Sequence, residues 1–304
     1  MMNKIVVEQN SEIQLQRLAA QRQLYSSAKS VFGWQIFIGG PVAVASAFLV
    51  LKIPAFRGYV AGWGIVVVLC DLFWLTPWQK RLRESAAKIQ EVFDCDVLEL
   101  PWNGLKAGKK PDPELIKEQS QKYERWRHKM PPLDNWYSVA VGELPLGVAR
   151  LTCQRSNCWW DSKQRRRYAS WVVAAVVIIF LLLLALSLGG DLTLEDFMLK
   201  VAAPVSPALV LGLRQFSEQT EAASRLDSLK GHSETIWEQA LGRKAKADVD
   251  SLSRSLQDEI FENRRKSPLV FDAVFSRLRR DYESQMNHGV AYYVDEAKRS
   301  LRAP

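Results

Sequence analysis

The sequence predicts a mainly α-helical integral membrane protein. Four transmembrane helices form two hairpins, joined to a mostly helical cytoplasmic region with a few short β segments. Three observations predict it. Long apolar runs alternate with heavily charged stretches, so a mean hydropathy of −0.13 averages two opposite materials. Basic clusters flank the runs. Net charge is +8 with 11 tryptophans in 304 residues. In a soluble protein that pair of facts points to nucleic acid; beside apolar runs it marks basic cytoplasmic loops and interfacial aromatic anchors.

About 20 apolar residues carry a helix across the ~30 Å hydrocarbon core. Trp34 to Ile53 is the first such run and Gly58 to Trp78 the second. Only Pro54, Ala55, Phe56 and Arg57 separate them, which predicts a tight hairpin (residues 34–78). The third, Tyr168 to Leu188, contains an unbroken series of Val, Ala, Ile, Phe and Leu. The fourth, Phe197 to Leu213, is shorter, carries Lys200 near its start and holds Pro204 and Pro207. Lys200 can snorkel to the interface; the other reading is a re-entrant segment. Residues 168–213 form the second hairpin.

Orientation follows from the basic flanks. The segment between the hairpins opens with Lys80, Arg81 and Arg83 and closes with Lys163, Arg165, Arg166 and Arg167. The second tip holds Gly189, Gly190 and Asp191. Lys52 and Arg57 at the first tip run against the rule but are outnumbered. Both termini and the central segment are therefore expected inside. The first thirty residues mix Glu8, Glu12, Arg17, Arg22 and Lys29 with apolar positions, unlike a secretory segment.

Residues 1–33 read as an amphipathic helix, with Ile13, Leu15, Leu18, Tyr25 and Ala28 at roughly helical spacing. The central region, 79–167, begins as a continuation of the second span. Next come a strand-like run over Val97–Leu100 and a loop marked by Gly104, Gly108 and Pro111. A helix is expected from Pro113, capped by Asp112, to about Lys129. Short β segments are expected over residues 133–161. Residues 214–304 read as long helices with apolar positions three and four apart, broken at Pro268.

Catalytic chemistry finds little support. His128, His232 and His288 are scattered, and no HExxH, GxSxG, Walker loop or GxGxxG is present. No enzyme, metal or cofactor is expected. Asp94, Cys95 and Asp96 can present two carboxylates, an arrangement common at turns. The four cysteines make no CxxC pair and are expected as reduced thiols. Asp71 lies about 10 Å from the inner end of the second span. An ionisable group at that depth is costly. It either lines a membrane path or serves as a packing partner. Gly39, Ala43 and Ala47, and Gly58 with Gly62, allow close helix approach. Before the third span stand Arg155, Asn157, Trp160 and Asp161. Arginine clamps phosphates and tryptophan stacks on bases, so ligand binding or coupling is one reading and an interfacial belt the other.

The order of several motifs resembles a known family. They are Leu18 to Ser26, Asp96 to Asn103, Arg155-x-Asn157-x-x-Trp160-Asp161, Leu256 to Ile260, Arg264, Pro268 to Val270, and Arg280 to Glu283. The sequence is similar over nearly its whole length to the four-transmembrane effectors associated with SMODS-type nucleotidyltransferases, part of the CBASS anti-phage systems. The resemblance implies a bacterial inner-membrane effector that responds to a cyclic oligonucleotide from a CD-NTase-type synthase. Such an effector oligomerises and disrupts the membrane, with neither DNA nor RNA as partner. A membrane anchor that recruits a partner through its C-terminal helices is the competing expectation.

Overall fold

The computed structural model describes residues 3–189, 193–198, 202–242 and 248–302. After α1 (Ile5–Glu8), a first rod runs through α2 (Glu12–Phe37), one π-helical turn (Ile38–Val42) and α3 (Ala43–Lys52). After a short 3-10 turn at Pro54–Phe56 the second rod returns. It comprises α4 (Arg57–Cys70), a π-helical turn (Asp71–Leu75) and α5 (Thr76–Val97). The short α6 (Gly104–Ala107) and α7 (Pro113–Glu124) follow. The third rod is α8 (Leu146–Gly189); beyond the short α9 (Leu194–Phe197), α10 (Ala203–Leu241) is the fourth. Finally come α11 (Val249–Lys266) and α12 (Asp272–Arg302).

The rods are too long for one task. At 1.5 Å per residue the 44 residues of α8 extend about 66 Å, twice a hydrocarbon core. Each rod is apolar in one half and polar in the other, without a break between. The polar halves are the start of α2, the end of α5, the start of α8 and the end of α10, and all four lie together. There α2 packs on α5 and α7, α8 on α10, and α11 and α12 on α8. One core unites them, with Phe93, Tyr137, Leu151, Leu226, Ile260 and Val294 among its buried members.

The apolar halves of the second and third rods are largely bare. Trp63, Ile65, Val68, Phe73 and Trp74 of the second rod and Ile178 to Leu182 of the third are exposed. Monomeric soluble proteins rarely leave such contiguous apolar surface to water. Two stretches, Gly58–Val97 and Leu146–Ala185, are long and apolar enough to cross a membrane. In the segment expected as a fourth span, α9 ends at Phe197 and α10 begins at Ala203, with residues 199–201 between them outside the described residues. Lys200 and the tip residues Gly190 and Asp191 lie outside the described residues. In the second hairpin a Cβ on Gly212 of α10 would collide with Val176 Cγ2 of α8, so the close approach of these helices requires that glycine.

Both π-helical turns have a proline cause. Pro41 lies within the first, and the ring of Pro77 would clash with the carbonyl of Phe73, four residues back, inside the second. An extra residue in the turn relieves each clash and keeps the rod continuous.

No strand occurs among the described residues, which corrects two expectations. Val97–Leu100 is a helix C-cap. Glu99 takes a left-handed conformation (φ 50°), Leu100 N–H donates to Cys95 O at 2.8 Å and Glu99 N–H to Asp96 O at 3.3 Å. This is a Schellman closure, and it buries Leu98 and Leu100 without a sheet. Over residues 133–161, a 3-10 turn at Val139–Glu143 leads into α8, whose Val148, Leu151 and Cys158 share a buried helical face. The helix from Pro113 ends at Glu124 rather than Lys129; a separate 3-10 turn covers Arg127–Lys129.

Candidate functional site

Where the polar halves of α2 and α8 meet the α11–α12 link they enclose a cavity of about 210 Å³. Helical spacing builds two of its walls. On α8, Asn157, Trp160, Asp161 and Gln164 recur at intervals of three and four; on α2, Gln21, Arg22, Tyr25 and Lys29 do the same. The third wall is Asn263 and Arg264 at the end of α11, Ser267 to Val270 of the link, and Asp272 and Phe275 of α12.

The lining is cationic and aromatic. Arg22, Lys29, Arg165 and Arg264 face two carboxylates, Asp161 and Asp272, with Tyr25, Trp136, Trp160 and Phe275 between them. Burial pulls the pKa values of Arg22 and Lys29 below their ordinary values, the mark of cations short of solvation. The Arg22 guanidinium sits 5.3 Å from the Phe275 ring centroid. Lys29 Nζ pairs with Asp272 at 2.5 Å. Arg165 pairs with Asp161 at 3.0 Å and donates to Gln219 Oε1 at 2.9 Å and Pro268 O at 2.7 Å. Burial also works against the charge of Arg264, but Asp94 at 2.9 Å overcomes it and its pKa rises. Three buried polar atoms of lining residues have no partner: Asn263 Nδ2, Ser267 Oγ and Tyr25 Oη. Buried donors normally find partners. Spare donors, cations and ring faces can together hold an anionic, aromatic ligand.

Of the four residues expected before the third span, Asn157, Trp160 and Asp161 line this cavity. Trp160 stands perpendicular to Tyr282, ring centroids 6.0 Å apart, and 6.3 Å from Phe275. Arg155 does not line it. Its Nε donates to Glu234 Oε1 of α10 at 2.8 Å and its guanidinium lies 4.3 Å from the Tyr293 ring centroid on α12. It ties three helices together instead. Asn157 reaches deeper: Nδ2 donates to Tyr137 Oη at 3.1 Å, and that hydroxyl donates to Asp94 Oδ1 at 2.7 Å. Asp94 also takes Arg264, so a buried chain of bonds runs from Asn157 back to the cavity wall. Asp96 points elsewhere, to Arg17. The two carboxylates do not converge, and among the described residues no cluster of three His, Cys, Asp or Glu is placed to hold a metal.

Sequence reasoning missed Arg22, Lys29, Asn263, Arg264, Ser267 and Phe275 as one site. A signal was present. Gln21, Arg22 and Tyr25 belong to the first motif of the family resemblance, Asn157, Trp160 and Asp161 to the central one, and Arg264 and Pro268 to Val270 to the tail. All line this cavity.

Asp71, the expected membrane-path residue, opens the second π-helical turn. Gln35 Nε2 donates to Asp71 Oδ1 at 2.6 Å and to Thr76 Oγ1 at 3.1 Å, and Thr76 Oγ1 donates to Asp71 Oδ2 at 3.3 Å. Asp71 also lines a second groove, of about 940 Å³, between the two hairpins.

No solved structure matches this chain. A curated relative, a probable CBASS effector molecule (IK1_05631) of Bacillus cereus (strain VD146), is 26% identical over 270 residues, covering 86% of this chain and 89% of that protein. A family model described as the SMODS-associating 4TM effector domain matches residues 3–293. With nearly its whole length matched, the chain belongs to the SMODS-associating 4TM effector family, a family of CBASS membrane effectors.

Proposed function

We propose that this chain is a four-span, inner-membrane anti-phage effector that senses a cyclic oligonucleotide in the cavity between α2, α8 and the α11–α12 link. Phosphates would take Arg22, Lys29 and Arg165, and a base would stack on Trp160 or Phe275. Both termini and residues 79–167 are cytoplasmic in this reading, and the bare apolar faces of α4 and α8 meet lipid or a second copy.

One observation carries the proposal. The two long walls of the cavity belong to helices that continue, unbroken, into the apolar halves. At about 210 Å³ the cavity is below the ~300–1,000 Å³ usual for ligand sites, so a whole cyclic oligonucleotide enters only if the walls part. Its phosphates compete for Lys29 and Arg165, releasing Asp272 and Asp161. A ligand shifts a conformational balance only by binding one state better; here it prefers the parted state. The movement passes along α2 and α8 to the level of Asp71. Arg155, clamped to Glu234 and Tyr293, couples α8 to α10 and α12.

The test is equilibrium binding of a cyclic-oligonucleotide panel to detergent-solubilised protein, with ion flux from liposomes in parallel. One member is expected to bind and to trigger flux. Absence of binding by every member to folded protein overturns the sensing role. Binding without flux leaves a nucleotide-regulated anchor.

A further inference from the structure

The groove between the hairpins is made of two materials. Its apolar wall includes Trp63, Val66, Val67, Leu72 and Leu75, with Leu211 opposite. From Trp63 to Leu75 is about 18 Å of helix, close to the ~15 Å of one leaflet in a ~30 Å hydrocarbon core. Directly above, Lys80, Arg83, Arg214, Arg225 and Lys266 face the same space.

Pairing shows which cations are spare. Arg214 holds Glu218 at 2.8 Å, Arg225 holds Glu221 at 2.6 Å and Lys266 holds Glu262 at 2.6 Å. Asp71 is occupied by Gln35 and Thr76. Lys80 is exposed and has no ion pair among the described residues. Arg83 donates from Nη1 to Ser267 O at 3.1 Å, but its Nε is buried without a partner. Gln215 is only 9% exposed, and its Oε1 also lacks a donor. A free ammonium, an unsatisfied guanidinium N–H and an unsatisfied amide oxygen therefore sit at the head of an apolar slot.

We propose that this groove binds one anionic phospholipid whose headgroup carries hydroxyls, as phosphatidylglycerol does. The acyl chain lies along Trp63 to Leu75. The phosphate takes Lys80 and Arg83, where charge-assisted contacts are strong. A headgroup hydroxyl donates to Gln215 Oε1. A soluble phosphate would use the cations but leave the slot empty; the continuity of slot and cations favours the lipid. The site stands on both hairpins, so its occupant sets the distance between them beside Asp71. This inference rests on the reading of the hairpins as membrane-spanning.

The experiment uses the purified full-length chain and native mass spectrometry with phosphatidylglycerol and phosphatidylcholine of equal chain length. Retention of phosphatidylglycerol is expected to exceed that of phosphatidylcholine at least tenfold, and the preference to vanish in a Lys80→Gln, Arg83→Gln double variant. Gln215→Leu, which packs apolar volume in place of the amide, should weaken retention severalfold and serves if the double variant fails to fold. Equal retention of the two lipids, or an unchanged preference in the variants, overturns the proposal. So does competition by deacylated glycerophosphoglycerol as effective as by the intact lipid, which would make this a soluble-anion site. Flotation with liposomes after an alkaline wash separates the underlying reading: protein that fails to float overturns the spans themselves, whereas floating protein without lipid preference overturns this site alone.

Discussion

Gln35 Nε2 donates a 2.6 Å hydrogen bond to Asp71 Oδ1, joining the two rods of the first hairpin at the level where each contains a π-helical turn. Such turns concentrate at functional positions. The bond therefore ties the two rods together where proline has widened the helical turn in each.

Substitutions at Asp71 separate a packing role from a path role. Asp71→Asn keeps an acceptor for Gln35 and removes the charge; Asp71→Ala removes both. Loss of a hydrogen bond to a charged group costs about 1.5–3 kcal/mol, so Asp71→Ala should lower the thermal unfolding midpoint in detergent while Asp71→Asn leaves it close to wild type. Ligand-triggered cation flux in liposomes should fall in both. Normal flux in Asp71→Asn would reduce Asp71 to a packing partner.

The proposed topology, with both termini and residues 79–167 inside, follows from the basic flanks of the apolar runs. Reporter fusions after Arg83, Asp191 and Pro304 are expected to read inside, outside and inside. An external signal at Pro304 with Arg83 inside would mean that the segment around Lys200 turns back without crossing.

The second and third rods were legible because their apolar runs are long enough to cross a membrane. So was the continuation of the second span into the central region; the wide turns that absorb the Pro41 and Pro77 clashes leave no mark in the hydropathy. The short run Val97–Leu100 reads as a strand because a few apolar residues carry no decisive period; Glu99 in a left-handed conformation makes it a cap. In the site, Asn157, Trp160 and Asp161 were legible as neighbours in sequence. Arg155 is their neighbour in sequence only: two residues along a helix turn about 200°, which places it on the opposite face, against Glu234 and Tyr293. Arg22 and Lys29 come from more than a hundred residues away, and a helical period shows only which positions are apolar.

That geometry gives opposite expectations for two kinds of variant. Lys29→Gln and Trp160→Ala act inside the cavity and should each weaken nucleotide affinity about tenfold or more, the scale of one charged hydrogen bond. Arg155→Ala should leave affinity within about threefold, roughly the effect of a weak surface ion pair, while flux at saturating ligand falls. Arg155→Lys should restore flux only in part. An ammonium still meets Glu234 but loses the planar stack on Tyr293. Calorimetry and flux measured on the same preparations check both.

Cys158 offers a reporter of the parted state. It lines the cavity, is fully buried and has its thiol pushed up to about 12 by burial. The thiolate is the reactive form. With the pKa raised from an ordinary 9.0, about a thousandfold fewer thiolates exist at pH 8 than for a free thiol. Alkylation of Cys158 should therefore be slow and should keep rising about tenfold per pH unit beyond pH 9, where an exposed thiol levels off. Cys95, also held up to about 12, should remain slow throughout. If the ligand parts α2 from α8, its addition should accelerate alkylation at Cys158 and not at Cys95, read by site-resolved mass spectrometry. If the ligand fits the closed cavity, Cys158 should become slower still, and the coupling of nucleotide to helix separation would be wrong.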